Sequence, residues 1–451
     1  MTDFPADQSA ASGASGRSLL KVGERTRKRN AAEKRFRMMG LAAVIFGILA
    51  LFGLMASILS NGLSSFTQTY IALDVYLDPE VLDKGGNRAP EDLGRITTFT
   101  IQPLIKAAVQ DLIDETGVSA EGVNANDAFE LISKEAPAEL RRFVLNNPDQ
   151  IGETVSFDLL ASGRIDGYYK GRVTMESAAL DRNISPEQLD LADRLKTEGV
   201  LETRFNWSFF TAPDASDTRP EAAGLGVAIL GSAYMMLIVL VLALPIGVAA
   251  SIYLEEFAPQ NRFTDLIEVN IANLAAVPSI VFGILGLAIF INFAGLPQSA
   301  PIVGALVLTL MTLPTVIIAT RAALKAVPPS IRDAALGVGA SKMQAIFHHV
   351  LPLAAPGILT GAIIGLAQAL GETAPLLLIG MVAFVREYPA APPEGFFDPA
   401  SALPVQVYNW TQRGDPAFVE RASGAIIVLL VFLLIMNAVA ILLRRRFERR
   451  W

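Results

Sequence analysis

The chain of 451 residues contains no cysteine and only two histidines. Without cysteine there is no disulfide, no thiolate nucleophile and no cysteine-ligated metal, so any part outside the cytoplasm must be held by its packed core alone. His348 and His349 are adjacent. They therefore fall on different faces of a helix, which argues against a metal site. No GxxxxGK[ST] segment occurs; GVGASKM at 337–343 lacks the Gly-Lys pair and a preceding buried strand. Clustered histidines or paired acids of the kind a membrane enzyme needs are missing too. Charge is scarce: 18% of residues are Asp, Glu, Lys or Arg, whereas 52% are hydrophobic. With a mean hydropathy of +0.43, the chain is too apolar for an ordinary soluble protein, yet it has enough charge for one sizeable soluble part. The net charge of −7 disfavours nucleic acid as a partner.

What is present in quantity is long apolar sequence. A bilayer core needs about 20 apolar residues per helix, and six runs qualify: 38–60, 224–254, 269–293, 302–320, 355–383 and 423–443. The first is longer than the apolar part of a signal peptide and starts after a polar tail, so it reads as a retained anchor. Residues 1–37 hold about 9 Lys/Arg against about 4 acids, and residues 64–222 about 15 against about 28. Basic clusters at both ends (Arg25, Arg27, Lys28, Arg29, Lys34, Arg35, Arg37; Arg444, Arg445, Arg446, Arg449, Arg450) place both termini in the cytoplasm, which an even number of spans satisfies.

The expected fold is mostly α: a polytopic protein with six transmembrane helices and an α+β periplasmic domain between spans one and two. The expected parts are a disordered, basic cytoplasmic tail (1–37), a first transmembrane helix (38–63), the periplasmic domain (64–222), a five-helix core (223–443) with a cytoplasmic loop (328–352), and a basic cytoplasmic tail (444–451). Residues 1–16 are small and polar and bury too little to order themselves. In the domain, ITTFTIQPLIKAAVQDLI and NDAFELISKEAPAELRRFVL have helical patterns, whereas ETVSFDLLAS and GYYKGRVTM have strand patterns. Another helix starts at Ser185, with Pro186 in its first turn and Gln188 completing a capping box.

The loop PPSIRDAALGVGASKMQAIFHHVLPLAAPG is too polar to span and too patterned to be a linker. Pro328 and Pro329 stop the preceding helix, and Ser330 with Asp333 form an S-x-x-D capping pair. Ala334 and Ala335 offer a narrow helix face, and Gly337 and Gly339 let the chain bend. A second short helix, 342–350, carries Met343, Ile346, Phe347 and Val350 on one side, and Pro352 restarts the chain into the fifth span.

This pattern closely resembles the EAA coupling loop of ABC importer permeases, at Asp333, Ala334, Ala335, Gly339, Leu351 and Pro352. Asp333 replaces the usual Glu, and His349 stands where an aliphatic residue is common. LALPIGVAASIYLEEFAP (242–259), NLAAVPSIVFGILGL (273–287), ALGETAPLLLIG (369–380) and PVQVYNW (404–410) are similar to phosphate importer permeases of the PstA type. The resemblance implies a type I permease fold in the bacterial inner membrane, forming half of a phosphate pathway and coupled through residues 333–352 to a separate ATPase. It further implies a PstC-like second permease, a PstB-like ATPase dimer that binds ATP and Mg, a PstS-like periplasmic phosphate-binding protein, and no cofactor or metal on this chain. Sulfate, molybdate or phosphonate are alternative substrates; a membrane sensor with a periplasmic domain is the alternative class.

Ionisable groups inside a membrane are candidates for function. Arg321 ends the fourth span, and Glu372 and Thr373 lie within the fifth. Arg321 can meet an anion or act as a snorkelling anchor, and Glu372 can hold that arginine, take a proton from phosphate, or pair with a neighbouring helix. Breaks at Pro278, Pro314 and Pro375 would turn backbone N–H groups toward the pathway. Glu255 and Glu256 read as solvated or docking charges.

Overall fold

The computed structural model describes residues 24–118, 123–382 and 384–447. The expectations for residues 1–16 and for Arg449 and Arg450 lie outside these. The chain divides after Ser57 into two units, and helix α1, Glu24–Gly62, runs from the first into the second.

The second unit begins with a sheet lobe. Strand β1, Thr67–Tyr76, lies between β2, Thr154–Leu160, and β3, Leu201–Phe205, and is antiparallel to both. In register, Ile71 stands opposite Leu159 and Leu201. Successive strand residues face opposite sides, so Ile71, Leu73 and Val75 all point into one core. Helices α2, Thr98–Thr116, α3, Ala136–Asn146, and α5, Pro186–Thr197, cover it with Ile101, Ile105, Leu140, Val144, Leu189 and Leu195. The capping box at Ser185 is formed: its hydroxyl accepts from the Gln188 N–H at 3.3 Å, and the Gln188 side chain accepts from the Ser185 N–H at 2.8 Å.

Two expectations here are corrected. GYYKGRVTM is not a strand: Gly163–Tyr169 forms helix α4, and Gly171 at φ +75° turns the chain out of it. Tyr168 and Tyr169 donate to Asp193 at 2.8 and 3.1 Å, so their aromatic alternation serves helix–helix contact instead of a sheet. The stretch 126–145 is two helices, Ala125–Phe129 and α3. Between them Ile132 forms a bridge with Ala161 and the Ser133 N–H donates to the Leu160 carbonyl.

The remaining helices are α6, Gly226–Phe257, α7, Arg262–Ala275, α8, Ser279–Phe293, α9, Pro301–Lys325, α10, Pro329–Gly337, α11, Lys342–Gly371, α12, Leu403–Gln412, and α13, Pro416–Phe447. Among the described residues five helices are long and apolar enough to cross a membrane, with α7 and α8 a sixth candidate bent by 100°. The bend falls at Pro278, which lacks an N–H and is itself extended at ψ 136°. The third run is therefore an elbow instead of a straight span. Pro314, by contrast, sits inside a continuous α9, correcting the break expected there. The fifth run also differs. It begins at Lys342, ends at Gly371, and is followed after Glu372 and Thr373 by a short helix, Ala374–Leu378, with Pro375 in its first turn.

Small residues bring α6, α9 and α11 close together. A Cβ on Gly361 would lie 2.2 Å from the Ala319 methyl, and one on Gly247 2.7 Å from Val316. Such seams replace the hydrophobic drive that lipid does not supply. At the lobe side, buried charges tie α13 to the sheet. Lys170 bridges Asp166 and Glu420 at 2.7 and 3.2 Å, and Arg421 donates to the Ala223 and Glu221 carbonyls and the Gln68 side chain at 2.6–2.9 Å.

Replacing Gly361 by Leu drives a side chain into Ala319 and is expected to destabilise the bundle by about 1–3 kcal/mol. Thermal unfolding in detergent should show this as a lowered midpoint. Gly371→Ala, where nothing lies within 4 Å, should leave it unchanged.

Candidate functional site: a helical hairpin clamped to the span ends

The hairpin is built from α10 and the first turns of α11. Pro328 occupies the N-cap of α10 with no side-chain cap, so the expected Ser330–Asp333 cap is not formed. Asp333 is exposed, and no ion-pair partner for it is found among the described residues. After α10, Gly339 adopts φ +90°, a left-handed conformation that side-chain-bearing residues rarely adopt. The cap that is formed belongs to α11: the Ser341 hydroxyl accepts from the Gln344 N–H at 3.2 Å, and the Gln344 side chain accepts from the Ser341 N–H at 2.9 Å.

Pro352 does not restart the chain. Helix α11 runs through it, with a π-turn at Ile346–Val350 just before. Proline cannot complete an α-helical hydrogen bond, and the wider turn accommodates the missing donor. This turn also splits the expected apolar side of 342–350. Ile346 and Val350 are buried against Ile252, Leu324 and Val327, whereas Met343 and Phe347 are exposed by 56% and 44%. Ala335 is buried and Ala334 exposed, with Leu336 and Val338 exposed beside it. The hairpin therefore has a packed inner side and an outer side of Leu336, Val338, Met343 and Phe347 that no described residue covers.

Ion pairs fix the inner side. Arg332 reaches Glu256 at 2.7 Å and donates to the Leu324 and Val327 carbonyls at 2.9 and 2.8 Å, so one guanidinium fills the open C-terminus of α9 and neutralises a carboxylate from α6. Arg321 pairs with Glu268 of α7 at 2.7 Å and with Glu255 at 3.3 Å, and Lys325 joins Glu255 at 3.5 Å. Glu255 and Glu256 are thus largely buried partners, correcting their reading as solvated charges. Lys342 lies 5.2 Å from the Phe257 ring centre, a cation–π contact. An apolar cavity of about 510 Å³, lined by Ala323, Ala326, Val327, Pro328, Ile331 and Leu353, opens at the base.

Of the three expected pathway residues, Arg321 belongs to this cluster. Glu372 and Thr373 lie at the far end of α11, where the helix ends before Ala374. Glu372 is about 16 Å further along α11 than Gly361, the residue packed on Ala319, so it does not hold Arg321. Sequence reasoning missed Arg332 as the keystone. Its neighbour Asp333 carried the motif, and nothing local in the sequence pairs residue 332 with residue 256.

Arg332→Ala leaves Glu256 without its cation and the Leu324 and Val327 carbonyls without the guanidinium, which should cost about 3–5 kcal/mol. The expected readout is faster proteolysis within 328–345 and a lower unfolding midpoint. Arg332→Lys should fall between, because lysine keeps the charge without the planar fork.

Comparison with known proteins places this geometry in a family. The family of binding-protein-dependent transport system inner membrane components matches residues 243–451, and a domain of unknown function (DUF3333) matches residues 23–179. The probable ABC transporter permease protein YqgI of Bacillus subtilis (strain 168) is 33% identical over 49% of this chain and 78% of its own. The phosphate transport system permease protein PstA 2 of Mycobacterium bovis is 32% identical over 55% of this chain and 79% of its own. The PstA protein of Xylella fastidiosa (strain Temecula1) is 33% identical over 50% and 77%. The hairpin and all the helices it is clamped to lie within or beside the matched region, and the chain belongs to the ABC importer permeases of the PstA type.

Proposed function

We propose that this chain forms half of the translocation pathway of a phosphate importer and that the hairpin receives the motion of a separate ATPase. One observation carries the reading: the hairpin's inner side is tied by Arg332 to Glu256 of α6 and to the end of α9, where Arg321 joins Glu255 and Glu268 of α7, while Asp333, Leu336, Val338, Met343 and Phe347 stand open to a partner. In this reading the hairpin and both termini are cytoplasmic, and residues 64–222 face the periplasm. A PstB-like ATPase dimer carrying ATP and Mg docks on the hairpin, a PstC-like permease completes the pore, and a PstS-like protein delivers phosphate from outside.

Helix α11 then acts as the lever. It is continuous over 30 residues, about 45 Å at 1.5 Å per residue, so movement at Lys342 reaches Glu372 without an intervening joint. Glu372 and Thr373 sit at the break where the lever ends, and in this account they line the pathway. Arg321 serves the pathway indirectly, by holding α7 to α9.

The test is Gly339→Val. A β-branched side chain is strained at φ +90°, so the turn between α10 and α11 is lost. ATP-dependent uptake of labelled phosphate should fall to the level of a deletion strain, while the chain remains in the membrane fraction. Normal uptake by this variant contradicts the coupling role, and uptake abolished by excess sulfate but not by excess phosphate contradicts the substrate.

A further inference from the structure

Far from the hairpin, three arginines converge on one carboxylate. Arg142 of α3, Arg219 and Arg386 all pair with Glu135, whose side chain is 10% exposed. Arg219 holds one oxygen, while Arg142 and Arg386 share the other at 3.4 and 3.3 Å, longer than the 2.7–2.9 Å of a well-made charge-assisted bond. These two side chains are 61% and 47% exposed, so their remaining donors face solvent and are open to a ligand. Both line a cavity of about 410 Å³, as do the hydroxyl-bearing residues Tyr70, Ser208, Thr211 and Tyr388. Two further acids, Glu139 and Asp214, line the cavity. Asp214 is neutralised by Arg413 at 2.5 Å, and burial pushes the Glu139 carboxyl above the usual carboxylate range.

The cavity lies on a seam. Arg142 and Glu135 belong to the sheet lobe, whereas Arg386 and Tyr388 precede α12 on the segment whose Ala390 carbonyl accepts from Tyr234 of α6 at 3.0 Å. Tyr388 also donates to the Thr211 carbonyl. A ligand gripped by Arg142 and Arg386 together would fasten the lobe to the helical bundle.

We propose that this cavity is a tetrahedral-oxyanion site in which Arg142 and Arg386 grip the anion and Glu135 is its built-in competitor. Guanidinium pairs match such oxygens bidentately, and three arginines set against the one Glu135 carboxylate favour an anion over a cation. The site is distinct from Glu372 and Thr373 and gives part of the DUF3333-matching region a ligand. It does not rest on what the importer carries.

The experiment titrates inorganic phosphate into the purified full-length chain with its partner subunits, in phospholipid-free detergent, by calorimetry. R142Q with R386Q should weaken one binding event by about tenfold or more, the loss of at least one charge-assisted bond. E135Q should tighten the same event, a gain that misfolding cannot produce. Phosphate binding unaffected by R142Q/R386Q, or weakened by E135Q, overturns the site. Adding phosphatidylglycerol identifies the source of the oxyanion. Competition with phosphate in the wild type assigns the site to a lipid headgroup, and absence of competition assigns it to the free ion. A chain that imports sulfate but shows these titrations refutes the transport substrate alone, whereas one that imports phosphate with titrations blind to both variants refutes this site alone.

Discussion

A charge taken out of water must be paired where it is buried, and in this chain that requirement decides where helices end and what they hold. Arg332 shows the principle most compactly: one guanidinium meets the Glu256 carboxylate and two carbonyls at and just past the last turn of α9, those of Leu324 and Val327. Remove it and a carboxylate and a helix terminus are both left unmatched. The Arg321–Glu255–Glu268 cluster repeats the device one layer away, joining α9 to α6 and to the middle of α7. Arg421 and the Lys170–Glu420 pair do the same between α13 and the sheet lobe.

Between these two charged zones the bundle is held differently. Gly247 and Gly361 admit Val316 and Ala319 at distances that leave no room for a side chain, and the gain is dispersion contact over closely approaching backbones. Glycine seams and continuous helices favour motion of whole elements over local bending. The continuity of α11 through Pro352 matters for that reason. In the proposed coupling, a joint there would absorb displacement at the hairpin, whereas the helix here stays continuous from Lys342 to Gly371.

Much of this was legible in the sequence wherever the cause is local. The Ser185–Gln188 capping box, the stop at Pro328 and Pro329, the bend at Pro278 and the turn at Gly339 all follow from backbone preferences of single residues. Where a distant partner decides, the sequence misled or stayed silent. The β-favouring pair Tyr168 and Tyr169 suggests a strand, but Asp193 draws both onto α5 as part of a helix. Pro352 looks like a helix start because the π-turn that excuses it has no sequence mark. Ser330 and Asp333 have the spacing of a cap, but Pro328, already seated at the N-cap of α10, leaves it unused, and the cap that forms is Ser341–Gln344 at the start of α11. Glu255 and Glu256 looked solvated until α9 and α10 supplied Arg321 and Arg332.

The central claim is that the outer side of the hairpin docks on an ATPase. Because the chain has no cysteine, one introduced at Val338, which is 86% exposed, gives an unambiguous probe. In membranes holding the whole transporter, V338C should cross-link to the ATPase subunit and be shielded from a membrane-impermeant maleimide added outside intact spheroplasts. Labelling from outside, with no ATPase adduct, would contradict the account.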